Sequence, residues 1–99
     1  MIVLAAKFTG RPERREDILH LAASMLPPSQ AEAGCLTYQF YEQQPGSNEF
    51  LFFEEWAGQP ALDAHFQTPH FLDFTTRFPE LIQGKPLIRI YEVSKSHDL

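Results

Sequence analysis

Residues 50-FLFFEEW-56 decide the fold. Side chains of a strand alternate between its two faces, so Phe50, Phe52, Glu54 and Trp56 share one side while Leu51, Phe53 and Glu55 share the other. Both sides are largely apolar. Leaving such side chains in water forgoes roughly 1.5–3 kcal/mol each. A strand of this kind therefore needs cover on both faces.

Toward the N-terminus, Gln44 to Asn48 (QPGSN) reads as a hairpin loop and Cys35 to Glu42 (CLTYQFYE) as the strand antiparallel to 50–56. Ile2 to Phe8 (IVLAAKF) reads as another strand, broken by Gly10-Arg11-Pro12. Pro12 suits a first helical turn, and Glu13, Glu16 and Asp17 lie where the helix dipole favours acids. Ile18, Ala22, Met25 and Leu26 recur at helical spacing. Pro27-Pro28 is predicted to stop this helix, and Ser29 to Gly34 to form a polar turn.

Toward the C-terminus, Gly58-Gln59-Pro60 opens a short helix through Phe66. Thr68 is placed as the cap of a further helix with Pro69 at its first position. Phe71, Phe74 and Phe78 form an apolar stripe along it, and Pro79 ends or kinks it. Gly84 to Pro86 leads into a final strand, Leu87 to Val93 (LIRIYEV). There Leu87, Tyr91 and Val93 share one side, with Ile88 and Ile90 on the other. From about residue 94 the tail is polar.

The order β-α-β-β-α-β defines an α+β, ferredoxin-like arrangement: a four-stranded antiparallel sheet with helices on one face. The opposite face has no element left to cover it. A second copy packed sheet to sheet is the expected cover, so the chain is expected to work as a homodimer through its open sheet face.

The chain's 99 residues are expected to form a single domain, 1–99. Nine of its thirteen aromatics are Phe, which has no polar handle and calls for a larger apolar interior than a small domain offers alone. Net charge is −5, with no basic run beyond Arg14-Arg15, which argues against nucleic acid and anionic membrane as partners. The sole cysteine, Cys35, cannot form an internal disulfide, and no apolar segment approaches a membrane span. The N-terminus runs straight into a strand-like stretch instead of a signal peptide. A cytoplasmic location is the expectation from these features.

Several short motifs follow one another along the chain. They are Glu32-Ala33-Gly34-Cys35-Leu36 with Tyr38 two residues on, Glu54-Glu55-Trp56, Ala61-Leu62-Asp63-Ala64-His65, and Thr68-Pro69-His70-Phe71. In this order and spacing the chain resembles the antibiotic biosynthesis monooxygenase family of the dimeric α+β barrel superfamily. The resemblance implies a pocket within each protomer, between sheet and helices. It also implies an activity drawn from a range: quinol monooxygenases, oxygenases of aromatic polyketides, an isomerase of a phosphorylated signalling sugar, and haem-degrading proteins. Most of the oxygenases in that range use no metal or flavin. The haem-degrading branch is set aside. It relies on an Asn at the end of the first strand, where this chain has Ala5-Ala6-Lys7-Phe8, and on a helical Trp, where this chain has His65.

Oxygenation without a cofactor needs a substrate that can itself give an electron to oxygen once deprotonated, together with a base and a dry apolar cavity. His65 is the candidate base, since its reference pKa is about 6.5. It stands beside Phe66 and one turn after Leu62, on the side expected to face the sheet. Its structural alternative is a buried His bonded to Glu54 or a helix terminus. Candidate substrate-binding residues are Tyr38, Glu54, Trp56, His70, Phe71 and Phe74. Glu54, if it faces the helices, demands a partner, for which His65 or Arg89 would serve. Ala5 and Ala6 are small enough to leave a void above the first strand or, equally, to let a helix approach closely. His65 and His70 stand five residues apart across a predicted break, a poor metal spacing, and neither metal nor cofactor is expected.

The leading functional expectation is a cofactor-independent monooxygenase of a small aromatic quinol or polyketide-like molecule. One alternative is an isomerase of a phosphorylated small sugar, which would need a cationic site, with Lys7, Arg77 and Arg89 as the scattered candidates. The other is a non-catalytic dimeric module that binds a small apolar ligand.

Overall fold

The structure, a computed structural model, describes residues 1–99. Strand β1 (Ile2–Gly10) is followed by a 3-10 turn (Pro12–Arg14) and helix α1 (Arg15–Gln30). Strands β2 (Cys35–Glu42) and β3 (Glu49–Trp56) form a hairpin. Helices α2 (Gln59–His65) and α3 (Pro69–Arg77), a 3-10 turn (Phe78–Leu81) and strand β4 (Ile82–Glu92) complete the chain. The sheet order is β2-β3-β1-β4 with every neighbouring pair antiparallel, the ferredoxin-like α+β topology expected from the sequence.

The register sets the faces. Leu4 lies opposite Glu54, Ala6 opposite Phe52 and Phe8 opposite Phe50. These side chains share the helix-covered side. Ile2, Leu4, Phe8, Phe50, Phe52 and Trp56 are buried there against Ile18, Leu21, Ala22 and Met25 of α1 and Leu62 of α2. The hairpin between β2 and β3 closes through Gly46 and Asn48, both at positive φ. Asn48 is held in that conformation by Arg15, which donates to its Oδ1 at 2.7 Å, and by its own N–H, which donates to Glu42 at 2.9 Å.

Pro27 and Pro28 do not stop α1, which runs through both to Gln30. The two missing N–H groups would have bonded the carbonyls of Ala23 and Ser24, which belong to solvent-exposed residues. The last turn is anchored instead by tertiary contacts. Ser29 is fully buried and Gln30 Nε2 donates to the Tyr38 carbonyl at 3.0 Å. The final strand also begins earlier than expected. Ile82 and Gln83 pair with Gly10 and Thr9, and the register then shifts near Gly84, which sits at φ +65. Gly and Pro here mark an irregularity inside a strand, where the sequence alone reads a loop.

The helices do not cover the whole of their face. On the far edge strand β4, Ile88 and Ile90 lie on the helix side yet are 56% and 46% exposed. On the opposite face Leu87 and Tyr91 are exposed, while Leu51 and Phe53 are half-buried. Apolar surface is thus left bare on both sides of β4. No helix is long and apolar enough to cross a membrane.

Candidate functional site

A cavity of about 470 Å³ opens between the sheet and α3. Leu4 and Ala6 of β1, Tyr38 of β2, Phe52 and Glu54 of β3, and Pro86 and Ile88 of β4 form the sheet side. Phe66, Phe71, Phe74, Thr75 and Phe78 form the other. Ala6 leaves room where a larger residue would fill the space above β1. The stripe Phe71-Phe74-Phe78 is partly buried, because its rings border this void as well as packing on the core. Phe74 meets Phe78 in a stack at 4.7 Å and Phe52 edge-on at 5.6 Å.

Glu54 is the one carboxylate in this lining, and no Lys, Arg or His joins it. It is 5% exposed and accepts a hydrogen bond from Trp56 Nε1 at 3.1 Å. Burial pushes its carboxyl up to about 7, with the Trp56 donor opposing and the charge of Glu32 adding to the rise. Such a group exchanges its proton near neutral pH. Tyr38, its cross-strand neighbour, is held far above the ordinary phenol value by burial first and then by the charge of Glu54. It remains a protonated hydroxyl. Cys35, half-buried, is pushed up to about 11 by burial and by Glu32 and Glu54, so it is no ready nucleophile.

His65 ends α2 and is 1% exposed. It faces the sheet as expected, with its ring 4.7 Å from that of Trp56, 5.1 Å from Phe71 and 5.5 Å from Tyr38. It does not line the cavity. Its partner is Glu32, which lies 2.6 Å from His65 Nδ1. A carboxylate can only accept, so Nδ1 carries the proton. Nε2 is left buried and without a partner. Burial lowers the His65 pKa against the opposing pull of Glu32. His70, in the first turn of α3, donates through Nε2 to the same Glu32 oxygen at 2.8 Å.

The residues singled out from the sequence therefore fall into two groups. Tyr38, Glu54, Phe71 and Phe74 line the cavity. Trp56, His65 and His70 stand behind its wall. One expectation is corrected. The partner of Glu54 is Trp56, not His65 or Arg89; Arg89 pairs opposite Ala5 on the other face. Sequence spacing also spoke against any metal-like cluster of His65 and His70. The fold brings them together with Glu32 so that their ligand atoms lie within 4.8 Å of one another. Glu32 was missed as a site residue although it opens the motif Glu32-Ala33-Gly34-Cys35. Ile88 and Pro86 carried no signal, since β4 reaches the cavity only through its register with β1.

Comparison with known proteins gives one family and several relatives. The model of the antibiotic biosynthesis monooxygenase family matches residues 1–77. The protein sll1783 of Synechocystis, whose name assigns no function, is 39% identical over 98 residues, 99% of this chain and 67% of its own. YcnE of Bacillus subtilis, named as a candidate monooxygenase, is 37% identical over 84 residues, 85% of this chain and 88% of its own. The solved structure of Rv0793 from Mycobacterium tuberculosis superposes with a TM-score of 0.91 at 29% identity, over 98% of each chain.

Proposed function

This chain belongs to the antibiotic biosynthesis monooxygenase family, and from that premise we propose that it is a cofactor-independent monooxygenase of a small aromatic quinol or polyketide-like molecule. The observation that carries the reading is Glu54, a buried carboxyl with a pKa of about 7 in an otherwise apolar cavity of about 470 Å³. That volume lies in the range of small-ligand sites and suits an aromatic ring system.

In this reading Glu54 takes a phenolic proton from the substrate. The resulting anion passes an electron to molecular oxygen and a carbon–oxygen bond forms. One oxygen atom stays in the hydroxylated quinone, and the other leaves as water with two substrate hydrogens. Phe71 and Phe74 hold the ring, and the Tyr38 hydroxyl donates to a substrate oxygen. The base is assigned to Glu54 and not to His65, because Glu54 borders the cavity and His65 does not. Trp56 acts through Glu54.

The isomerase alternative is disfavoured by the lining, which holds no cation for a phosphate. Lys7 pairs opposite Leu87 away from the helices, and Arg77 is paired with Asp73. The binding-module alternative shares the cavity and differs only in turnover.

The working unit is a homodimer of the 1–99 domain, with the bare face carrying Leu51, Phe53, Leu87 and Tyr91 against a second copy. Burial of this apolar surface would stabilise the pair in proportion to the area removed from water.

Oxygen uptake with a panel of quinols and anthrones tests the activity. The expected result is one oxygen consumed per substrate, with the rate reduced at least about 100-fold in Glu54→Gln, the scale of losing a general base. Full turnover in Glu54→Gln would remove Glu54 from the mechanism. Tight quinone binding with no oxygen uptake in the wild-type chain would favour the binding module.

A further inference from the structure

We propose that Glu32, His65 and His70 form a binding site for a divalent transition-metal ion of the zinc class, held through Glu32 Oε2, His65 Nδ1 and His70 Nε2. The three come from separate segments: the turn before β2, the end of α2 and the first turn of α3. Nothing local in the sequence would bring them together, yet their ligand atoms converge within 4.8 Å.

Two imidazole nitrogens and one carboxylate oxygen make a set that zinc accepts, with a fourth place left for solvent. His65 is buried, whereas the side chains of Glu32 and His70 are 13% and 21% exposed, so the cluster has a path to solvent. The present contacts are hydrogen bonds of 2.6 and 2.8 Å. A tetrahedral shell with bonds of about 2.0–2.1 Å places its ligand atoms about 3.3 Å apart. The carboxylate must therefore withdraw by a fraction of an ångström, and Glu32 sits on a turn outside any helix or strand. No net proton need be lost from the imidazoles. Each neutral ring shifts its hydrogen to the other nitrogen, which on His65 is the unpartnered Nε2.

The charge around the cluster also favours a cation. The charge of Glu32 pushes up Glu54, and the charges of both push up Cys35 and Tyr38, with no Lys or Arg to offset them there. Neither carboxylate has a Lys or Arg partner; the only ion pairs of Glu32 are those with the two histidines. None of the three ligands borders the cavity. The ion would act as a clasp, tying the turn at residues 31–34 to α2 and α3 behind the Phe71 wall. Its binding does not require the oxygenation chemistry proposed above.

The test uses the full chain freed of metal by chelator and titrated with Zn²⁺ by calorimetry. Trp56, the sole tryptophan, lies 4.7 Å from the His65 ring and reports binding by fluorescence. Co²⁺ supplies a visible spectrum diagnostic of tetrahedral coordination. One ion per chain is expected, with affinity lowered more than about 10-fold in His70→Ala and in Glu32→Gln. The melting temperature should rise with Zn²⁺ in the wild type and not in either variant. A double variant of the exposed His20 and His97, both to Ala, should bind as the wild type does. No saturable binding by the wild-type chain, or equal affinity in the wild type and both cluster variants, would overturn the proposal. Run on chelator-treated protein, the oxygen-uptake test of Glu54 stands whichever of these results is found.

Discussion

Trp56 Nε1 donates a hydrogen bond to Glu54 Oε1 at 3.1 Å, and both side chains are buried on the same strand face, two residues apart. The indole donor partly offsets the cost of enclosing a carboxyl among aromatic rings. It does not cancel that cost, and Glu54 still titrates near 7. The pair therefore links the stability of the core to the chemistry available in the cavity.

Stability should fall as pH rises through neutrality. Glu54 ordinarily titrates at 4.5 and is raised to about 7 in the folded chain. Between these values the folded state binds more protons than the unfolded state, so stability is fully present below about 4.5 and is lost as pH passes 7. The upper scale of the loss is about 3 kcal/mol. His65, whose pKa is lowered by burial, works in the opposite direction. Cys35 and Tyr38 titrate too high to contribute in this window, and Glu32 is the remaining acid facing Glu54. Urea unfolding across pH 4.5–8 in wild type and Glu54→Gln isolates the Glu54 contribution. Parallel curves for the two proteins would show that Glu54 is not raised.

Removing the indole donor should make Glu54 a weaker acid still. A hydrogen bond to a charged group is worth roughly 1.5–3 kcal/mol, or about one to two pH units. In Trp56→Phe the pH at which oxygen uptake reaches half its plateau should move upward by about that much. An unchanged or lower midpoint would mean that the 3.1 Å contact does not stabilise the carboxylate.

Gly34 shapes the turn that carries Glu32. It sits at φ +81, and a Cβ there would stand 2.6 Å from Ala61 Cβ. Its carbonyl accepts from Ala57 N–H at 2.8 Å. Gly34→Ala combines left-handed strain with overpacking and should cost about 2–4 kcal/mol. Gly46 has the same φ of +81 with nothing within 4 Å, so Gly46→Ala should cost only about 1–2 kcal/mol. Equal midpoints of denaturation for the two variants would contradict the close approach at Ala61.

Charge on the bare sheet face should break the proposed dimer. Phe53 lies on that face, half-buried within the protomer. Phe53→Asp should halve the mass seen by analytical ultracentrifugation or unfold the chain at low concentration. Glu55 already lies on the same face, so a Glu55→Gln control should remain associated. A stable Phe53→Asp dimer would place the interface elsewhere.

The strands around FLFFEEW were legible because period-two alternation and turn residues are local signals, and β2 and β3 form where those signals lie. The Thr68 cap was legible for the same reason: its Oγ1 accepts from Phe71 N–H, a contact three residues away. The persistence of α1 through Pro27-Pro28 was not, since the buried Ser29 and the Gln30 bond to β2 that hold its last turn are tertiary. The start of β4 was hidden too, because Gly84 and Pro86 signal equally a loop or an irregular strand.

The sequence by itself determined the element order, the face on which Phe50, Phe52, Glu54 and Trp56 lie, and the family motifs, all of which depend on neighbours a few residues apart. Only the tertiary structure decided which polar groups meet. Glu32 is 33 residues from His65 and 38 from His70, and their shared contact exists because β2, α2 and α3 close on one another. It likewise separated Glu54, which borders the cavity, from His65 behind its wall. A strand pattern names the face a side chain leaves from; packing alone decides what that side chain meets.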